Sequence, residues 1–185
     1  ASKLKRLLGD AVEIVVYEKG GEVSFGACGI PFYISDHIKQ GKELIARTAE
    51  EFAKSGIPVK IYHEVTAVDT DARTVTVKNL QTGEVFDDTY DKLVIGSGAG
   101  VRHFPPFDRS YTNLFEIRDV ADGTRVKQAL LDENQRHVVI VGAGFIGLEL
   151  SEACRHYGKE VTVVELAEHV LPAFDTEISE ALEAE

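Results

Sequence analysis

Methionine and tryptophan are missing altogether from this chain of 185 residues, and cysteine occurs only twice, at Cys28 and Cys154. Two cysteines so far apart write neither a disulfide framework nor a zinc ribbon, so no metal site is expected. No apolar run approaches the ~18 residues that suggest a membrane span, and no signal-peptide pattern opens the chain. A reducing, cytoplasmic setting is the expectation that follows. Basic residues are also scarce: 20 Lys and Arg stand against 31 Asp and Glu, a net charge of −11. That balance argues against nucleic acid and against an anionic membrane surface as partners, and solubility alone accounts for the acidity. Even an initiator methionine is lacking. The chain opens at Ala1-Ser2-Lys3-Leu4-Lys5-Arg6-Leu7-Leu8 as the middle of a helix without a cap, and Ile178 to Glu185 reads as a helix without a stop signal. An internal piece of a longer protein is expected, long enough for one good-sized core or two modest ones.

What the chain does contain is organised around Glu22-Val23-Ser24-Phe25-Gly26-Ala27-Cys28-Gly29-Ile30-Pro31-Phe32-Tyr33. Cys28 stands among small residues, ahead of a segment, Phe32 to Gln40, that can be helical. Proline suits a first helical turn because its missing N–H has no helix partner there. The thiol would then lie just before a helix N-terminus, where unsatisfied N–H groups favour an anion and the thiolate is the reactive form. A small buried core cysteine accounts for the local residues equally well.

In order along the chain, a helix is expected over Ser2–Leu8, then a buried parallel strand over Val12–Tyr17. Glu18 ends that strand, where a nucleotide-binding βαβ unit places an acid for the adenosine ribose. A short helix over Ala49–Ser55 stops at Gly56. Val59–Tyr62, Glu64–Val68, Thr74–Lys78 and Glu84–Asp87 alternate between turn signals and predict an antiparallel meander. Leu93-Val94-Ile95 predicts a short buried strand entering the turn Gly96-Ser97-Gly98, where backbone can approach a ligand closely. The loop with Pro105-Pro106 is a candidate domain boundary, and Val120–Leu131 predicts an amphipathic helix.

The most specific motif comes next. Val138-Val139-Ile140-Val141 runs into Gly142-Ala143-Gly144-Phe145-Ile146-Gly147, then a helix over Leu148–Tyr157, Gly158, and a strand over Val161–Val164 that ends at Glu165. A bare G-x-G-x-x-G is weak evidence, but this one has a strand before it, a helix and second strand after it, and an acid about 20 residues on. Gly142 would make the tight turn, Gly144 would admit the pyrophosphate and Gly147 would let helix and strand pack, with the phosphates at the helix N-terminus. Glu165 would accept bonds from the ribose and repel a 2′-phosphate, so NADH is expected over NADPH. Cys154 falls on the packed face of that helix and carries no expected chemistry.

Together these residues resemble the single-cysteine branch of the FAD-dependent pyridine nucleotide–disulfide oxidoreductases, the branch of coenzyme A-disulfide reductases, NADH oxidases and NADH peroxidases. The resemblance rests on Tyr17-Glu18-Lys19, Val23-Ser24-Phe25 with Cys28-Gly29 and Pro31-Phe32-Tyr33, His63-Glu64-Val65, the run Tyr90 to Ala99 and the glycine fingerprint. It implies an α/β fold of two Rossmann-like, three-layer nucleotide-binding domains, the first with the meander inserted and both incomplete. Residues 1–112 would bind FAD and residues 113–185 NAD(H). It further implies that Glu18 and Lys19 hold the FAD adenosine, that Val65 contacts the adenine and that Ser97 and Gly98 close over the flavin. Phe145 would gate the nicotinamide pocket, Ile146 would belong to the same coenzyme loop and Glu149 would approach the nicotinamide. Ser24 would line the substrate site beside Cys28, the redox nucleophile. Tyr33 stands where a Cys-x4-Cys enzyme keeps its second cysteine, so Cys28 would cycle through a mixed disulfide or a sulfenic acid.

The resemblance also places a glycine-rich FAD loop ahead of Ala1 and a dimerisation domain after Glu185, so the whole protein is expected to be a homodimer and this stretch to bind FAD poorly. Ala27 replaces the Asn usual before the cysteine in the reductases, whereas Pro31-Phe32-Tyr33 favours them over the oxidases. The expected activity is NADH-dependent reduction of a small disulfide or persulfide, coenzyme A disulfide first. Reduction of O2 or peroxide through a Cys28 sulfenic acid is the alternative, and a nucleotide-binding module without turnover is a reading of another class.

Overall fold

The computed structural model describes residues 1–102, 107 and 110–184. The Pro105-Pro106 loop and the last residue of the expected terminal helix, Glu185, lie outside the described residues. In chain order the helices are α1 (Ser2–Leu8), α2 (Ile30–Ile34), α3 (Ala49–Lys54), α4 (Val120–Leu131), α5 (Phe145–His156) and α6 (Thr176–Glu183). The strands are β1 (Val16–Tyr17), β2 (Val59–Lys60), β3 (His63–Asp69), β4 (Thr74–Asn79), β5 (Val85–Thr89), β6 (His137–Val141) and β7 (Glu160–Val164). The chain divides into two compact units, residues 1–25 with 45–99 and residues 26–44 with 100–185. No helix among the described residues is long and apolar enough to cross a membrane.

In the first unit the strand expected over Val12–Tyr17 is laddered only at Val16–Tyr17, in parallel with β2. A strand needs a partner as well as an extended sequence, and β2 offers only two residues before Tyr62 turns into a left-handed conformation at φ 57. Val59–Tyr62 therefore leaves the expected meander. The remaining three strands pair antiparallel in the order β3-β4-β5, with Val75 and Val77 of the middle strand buried. Helix α3 begins in a reciprocal cap: Thr48 Oγ1 accepts the Glu51 N–H and the Glu51 carboxylate accepts the Thr48 N–H. Leu93–Ile95 does not form the expected buried strand. Val94 is 88% exposed, because no strand among the described residues runs beside it to satisfy its backbone.

In the second unit β6 and β7 pair in parallel from His137↔Glu160 to Val141↔Val164, with α5 as the crossover between them. This is the strand–glycine turn–helix–strand unit that the sequence predicts, although α5 starts at Phe145 rather than Leu148 because Gly144 serves as its N-cap. α2 is shorter than the expected helix over Phe32–Gln40. It stops at Ile34, since Asp36 takes a left-handed φ of 65 that no helix continues through. α4 starts from Asp119, whose carboxylate accepts the Asp122 N–H at 2.9 Å. It packs on α2 where Gly123 meets Ile30: a Cβ at Gly123 would come within 2.8 Å of the Ile30 side chain. The fold is thus α/β, with a parallel strand pair and an antiparallel meander in the first unit and a parallel strand–helix–strand arrangement in the second.

Candidate functional site

Cys28 sits in a single 3-10 turn, Ala27–Gly29, that leads directly into α2. The Ile30 N–H reaches back to the Ala27 carbonyl, which ties the turn to the first residue of the helix. Gly29 brings the turn close to Leu44: a Cβ there would lie 2.5 Å from the end of that side chain, which would have to shift to admit it. The thiol is exposed, so the buried-core alternative for Cys28 falls away. Cys154, by contrast, is buried on α5, where desolvation pushes its thiol pKa up. One sulfur is open to attack, and the other is closed.

The acid at the end of β1 is fixed by its own backbone. The Glu18 N–H donates to the Lys60 carbonyl at 3.0 Å and the Glu18 carbonyl accepts the His63 N–H at 2.9 Å, so its side chain leaves from a stitched position between β2 and β3. One carboxylate oxygen accepts the Gly20 N–H at 2.6 Å. Lys19 pairs with Glu64 at 2.7 Å, and Val65 lies at a β-bulge on β3 with 40% of its surface exposed. Nearby, the Tyr17 hydroxyl donates to Asp88 at 2.6 Å; burial first, then the carboxylate, pushes the phenol pKa up. Ser97 and Gly98 are exposed, Gly98 at a φ of 67 that favours glycine. Ser24 is half-buried in this unit, and its carbonyl accepts the N–H groups of Ala46 and Arg47.

A basic hollow in the same unit escaped the sequence reading. Lys5 and Arg6 of α1 line a concavity of about 250 Å3 together with Ser2, Arg47 and Ser55. Arg47 is held still, stacked 4.2 Å above Phe52 and donating to the Glu51 carbonyl and to the Ser2 and Ser55 hydroxyls. Lys5 donates to the Val12 carbonyl at 3.2 Å. Arg6 is exposed and makes no ion pair among the described residues. Three cations thus line one concavity of an acidic chain, and Lys5 among them also pairs with Asp10 at 3.7 Å. The Lys5-Arg6 pair was the available signal, but Arg47 and Ser55 join it only through folding.

In the second unit the glycine turn has the expected geometry. Gly142 adopts φ 104, open to glycine alone, while its N–H donates to the Val164 carbonyl at 2.8 Å. A Cβ on Gly147 would lie 2.0 Å from the Gly142 oxygen, so α5 can pack on the turn only through a glycine. Around Gly144 the space is open. The Glu165 carboxylate accepts the Ala143 N–H at 2.6 Å through one oxygen, and the Leu166 and Ala167 N–H groups at 2.7 and 2.9 Å through the other. Those backbone bonds, led by Ala167, lower its pKa and keep it ionised. Phe145 is 60% exposed, edge-on to Phe174 at 5.6 Å, and Ile146 beside it is also exposed. Glu149 lies one turn further along α5 and faces Pro31, Phe32 and Ser35 across a cleft of about 320 Å3. Gly142, Gly144, Phe145, Ile146, Gly147 and Glu165 are therefore gathered around one turn.

The family described as pyridine nucleotide-disulphide oxidoreductase matches residues 1–185. The coenzyme A disulfide reductase of Staphylococcus haemolyticus is 35% identical over 183 residues, which cover 98% of this chain and 41% of that protein. The NADH oxidase of Enterococcus faecalis is 35% identical over 176 residues, 94% of this chain and 39% of that one. Among solved structures, the water-forming NADH oxidase from Lactobacillus brevis bound to NADH superposes with a TM-score of 0.89 at 29% identity, over 99% of this chain and 40% of that chain. The chain spans about two fifths of the length of the curated relatives it matches.

Proposed function

Because the chain belongs to the pyridine nucleotide-disulphide oxidoreductase family, we propose that the protein carries two electrons from NADH by way of FAD to Cys28, and from Cys28 to a small disulfide or persulfide, coenzyme A disulfide foremost. The observation that supports this most is the contrast between its two thiols, Cys28 exposed and Cys154 buried. The Cys28 thiolate attacks one sulfur of the disulfide; the S–S bond breaks, one thiolate leaves and a mixed disulfide remains. Two electrons then cleave that bond into two thiolates, which releases the second product and restores Cys28. A bound flavin supplies the two-electron relay between a hydride donor and this sulfur.

The residues fit both cofactors. Glu18 keeps a carboxylate oxygen beyond its Gly20 bond for a ribose hydroxyl, with Lys19 and Val65 beside it, and the Ser97-Gly98 turn offers open backbone. Residues 1–112 serve FAD in this reading and residues 113–185 serve NADH. Gly142, Gly144, Ile146 and Gly147 would form the pyrophosphate turn, Phe145 and Glu149 would flank the nicotinamide, and Ser24 would line the substrate site. Glu165 would take the ribose hydroxyls as an ionised acceptor. A Glu165→Ala variant should bind NADH about 10- to 100-fold more weakly, the worth of hydrogen bonds to a charged group, without a matching loss for NADPH. Equilibrium titration with both coenzymes checks this; equal losses would contradict it.

A homodimer in the cytoplasm completes the proposal.

The open position of Cys28 also favours a second reading, in which oxygen or peroxide is the acceptor and the sulfur passes through a sulfenic acid. Reducing the full-length enzyme with NADH and then mixing it with either coenzyme A disulfide or aerated buffer separates the two. Rapid reoxidation by the disulfide supports the first reading. Reoxidation by oxygen alone selects the second.

A further inference from the structure

Helix α2 is five residues long, too short to hold its place unaided, so the position of Cys28 at its head is set by whatever grips it. Within the second unit three side chains do so at its far end. The Tyr157 hydroxyl donates to the Ile34 carbonyl at 2.9 Å, and the Tyr33 hydroxyl lies 3.2 Å from Thr124 Oγ1 on α4. The third, Lys127 of α4, reaches both the aromatic in the middle of α2 and the residue that stops it. Its ammonium sits 4.5 Å from the centre of the Tyr33 ring and 2.8 Å from the Asp36 carboxylate. Its side chain is only 13% exposed. Asp36 is the left-handed residue just past the helix, a conformation that costs most side chains energy unless the surroundings hold it. Lys39 pairs with it too, from a side chain 69% exposed, where an ion pair contributes little.

We propose that Lys127 is a positioning residue for Cys28, acting through Tyr33 and Asp36 to fix the direction in which α2 presents the thiol. The inference rests on the proposed role of Cys28. Hydrogen bonds from Lys127 and Lys39 hold the Asp36 pKa down to about 2, so the grip persists throughout the pH range in which a thiol enzyme is assayed. The buried Ile30 and Ile34 keep α2 packed without it, so losing Lys127 should displace the helix rather than unfold the chain. A misplacement of about 1 Å can cost on the order of 100-fold in rate.

The test uses the full-length, FAD-loaded protein with Lys127→Met, Lys127→Arg and Cys28→Ser. Lys127→Met should leave flavin reduction by NADH within about twofold of wild type, because that half-reaction does not use the thiol, and slow reoxidation by coenzyme A disulfide about 10-fold or more. Lys127→Arg, which keeps the charge and the stacking on Tyr33, should recover most of that rate. Asp36→Asn removes the same pair from the other partner and should give the same split should Lys127→Met fail to fold. Equal losses in both half-reactions would show a packing role only and overturn the inference. A wild-type rate for Lys127→Met alongside an inactive Cys28→Ser would overturn the inference alone, while full turnover in Cys28→Ser would overturn the functional reading and the inference with it.

Discussion

Full-length protein carrying Cys28→Ser should lose NADH-dependent reduction of coenzyme A disulfide by at least about 1,000-fold, a loss in keeping with removal of a covalent nucleophile. A serine hydroxyl stays protonated at neutral pH and cannot form the mixed disulfide on which the second step depends. Cys154 cannot take over, because it is 2% exposed on the packed face of α5 and its pKa is raised. Flavin reduction by NADH should persist at close to the wild-type rate, since hydride transfer needs no sulfur. Cys154→Ser is the companion experiment, with turnover expected to survive. Residual disulfide reduction above about a tenth of wild type in Cys28→Ser would mean that the electrons leave by another route.

Gly147→Ala should destabilise the second unit by about 1–3 kcal/mol, the usual cost of overpacking, and weaken NADH binding more than tenfold. The new methyl group would lie 2.0 Å from the carbonyl oxygen of Gly142 and 3.1 Å from its carbonyl carbon. Both are backbone atoms of the tight turn and cannot swing aside as a side chain would. Either α5 lifts from the end of β6 or the turn at Gly142 opens, and both outcomes spoil the pyrophosphate seat. Gly144→Ala provides the contrast: nothing lies within 4 Å of its Cβ position, so stability should hold while coenzyme affinity falls. Chemical denaturation paired with NADH titration reads both effects. Wild-type stability and affinity in Gly147→Ala would show that the turn does not close on the helix as described.

The glycine turn was legible in the sequence because everything that defines it is local: a four-residue aliphatic strand, the three glycines, a helix and a second strand follow in immediate succession. The parallel register of β6 and β7 follows from that order. The first unit was harder to read, because its strands depend on partners distant in the chain. Val12–Val15 has the composition of a buried strand yet finds no ladder, since β2 runs for only two residues. Val59–Lys60 alternates like a meander strand but pairs parallel with β1, a choice that side-chain periodicity cannot encode. The length of α2 was overestimated because nothing in the composition of Phe32 to Gln40 forbids a helix; the left-handed Asp36, held by two lysines, ends it. The exposure of Cys28 could not be read from its small neighbours, which suit a turn and a core alike. The basic hollow was hidden for a simpler reason, that Lys5 and Arg6 lie far along the chain from Arg47 and Ser55.

The most direct measurement is peptide mass spectrometry of the full-length enzyme, quenched in acid after exposure to coenzyme A disulfide with no reductant present. A coenzyme A adduct on the peptide containing Cys28, none on the peptide containing Cys154, and disappearance of that adduct when NADH is added before the quench is the result expected here. An unmodified Cys28, or an adduct that NADH fails to remove, would contradict the claim that this sulfur passes the electrons on.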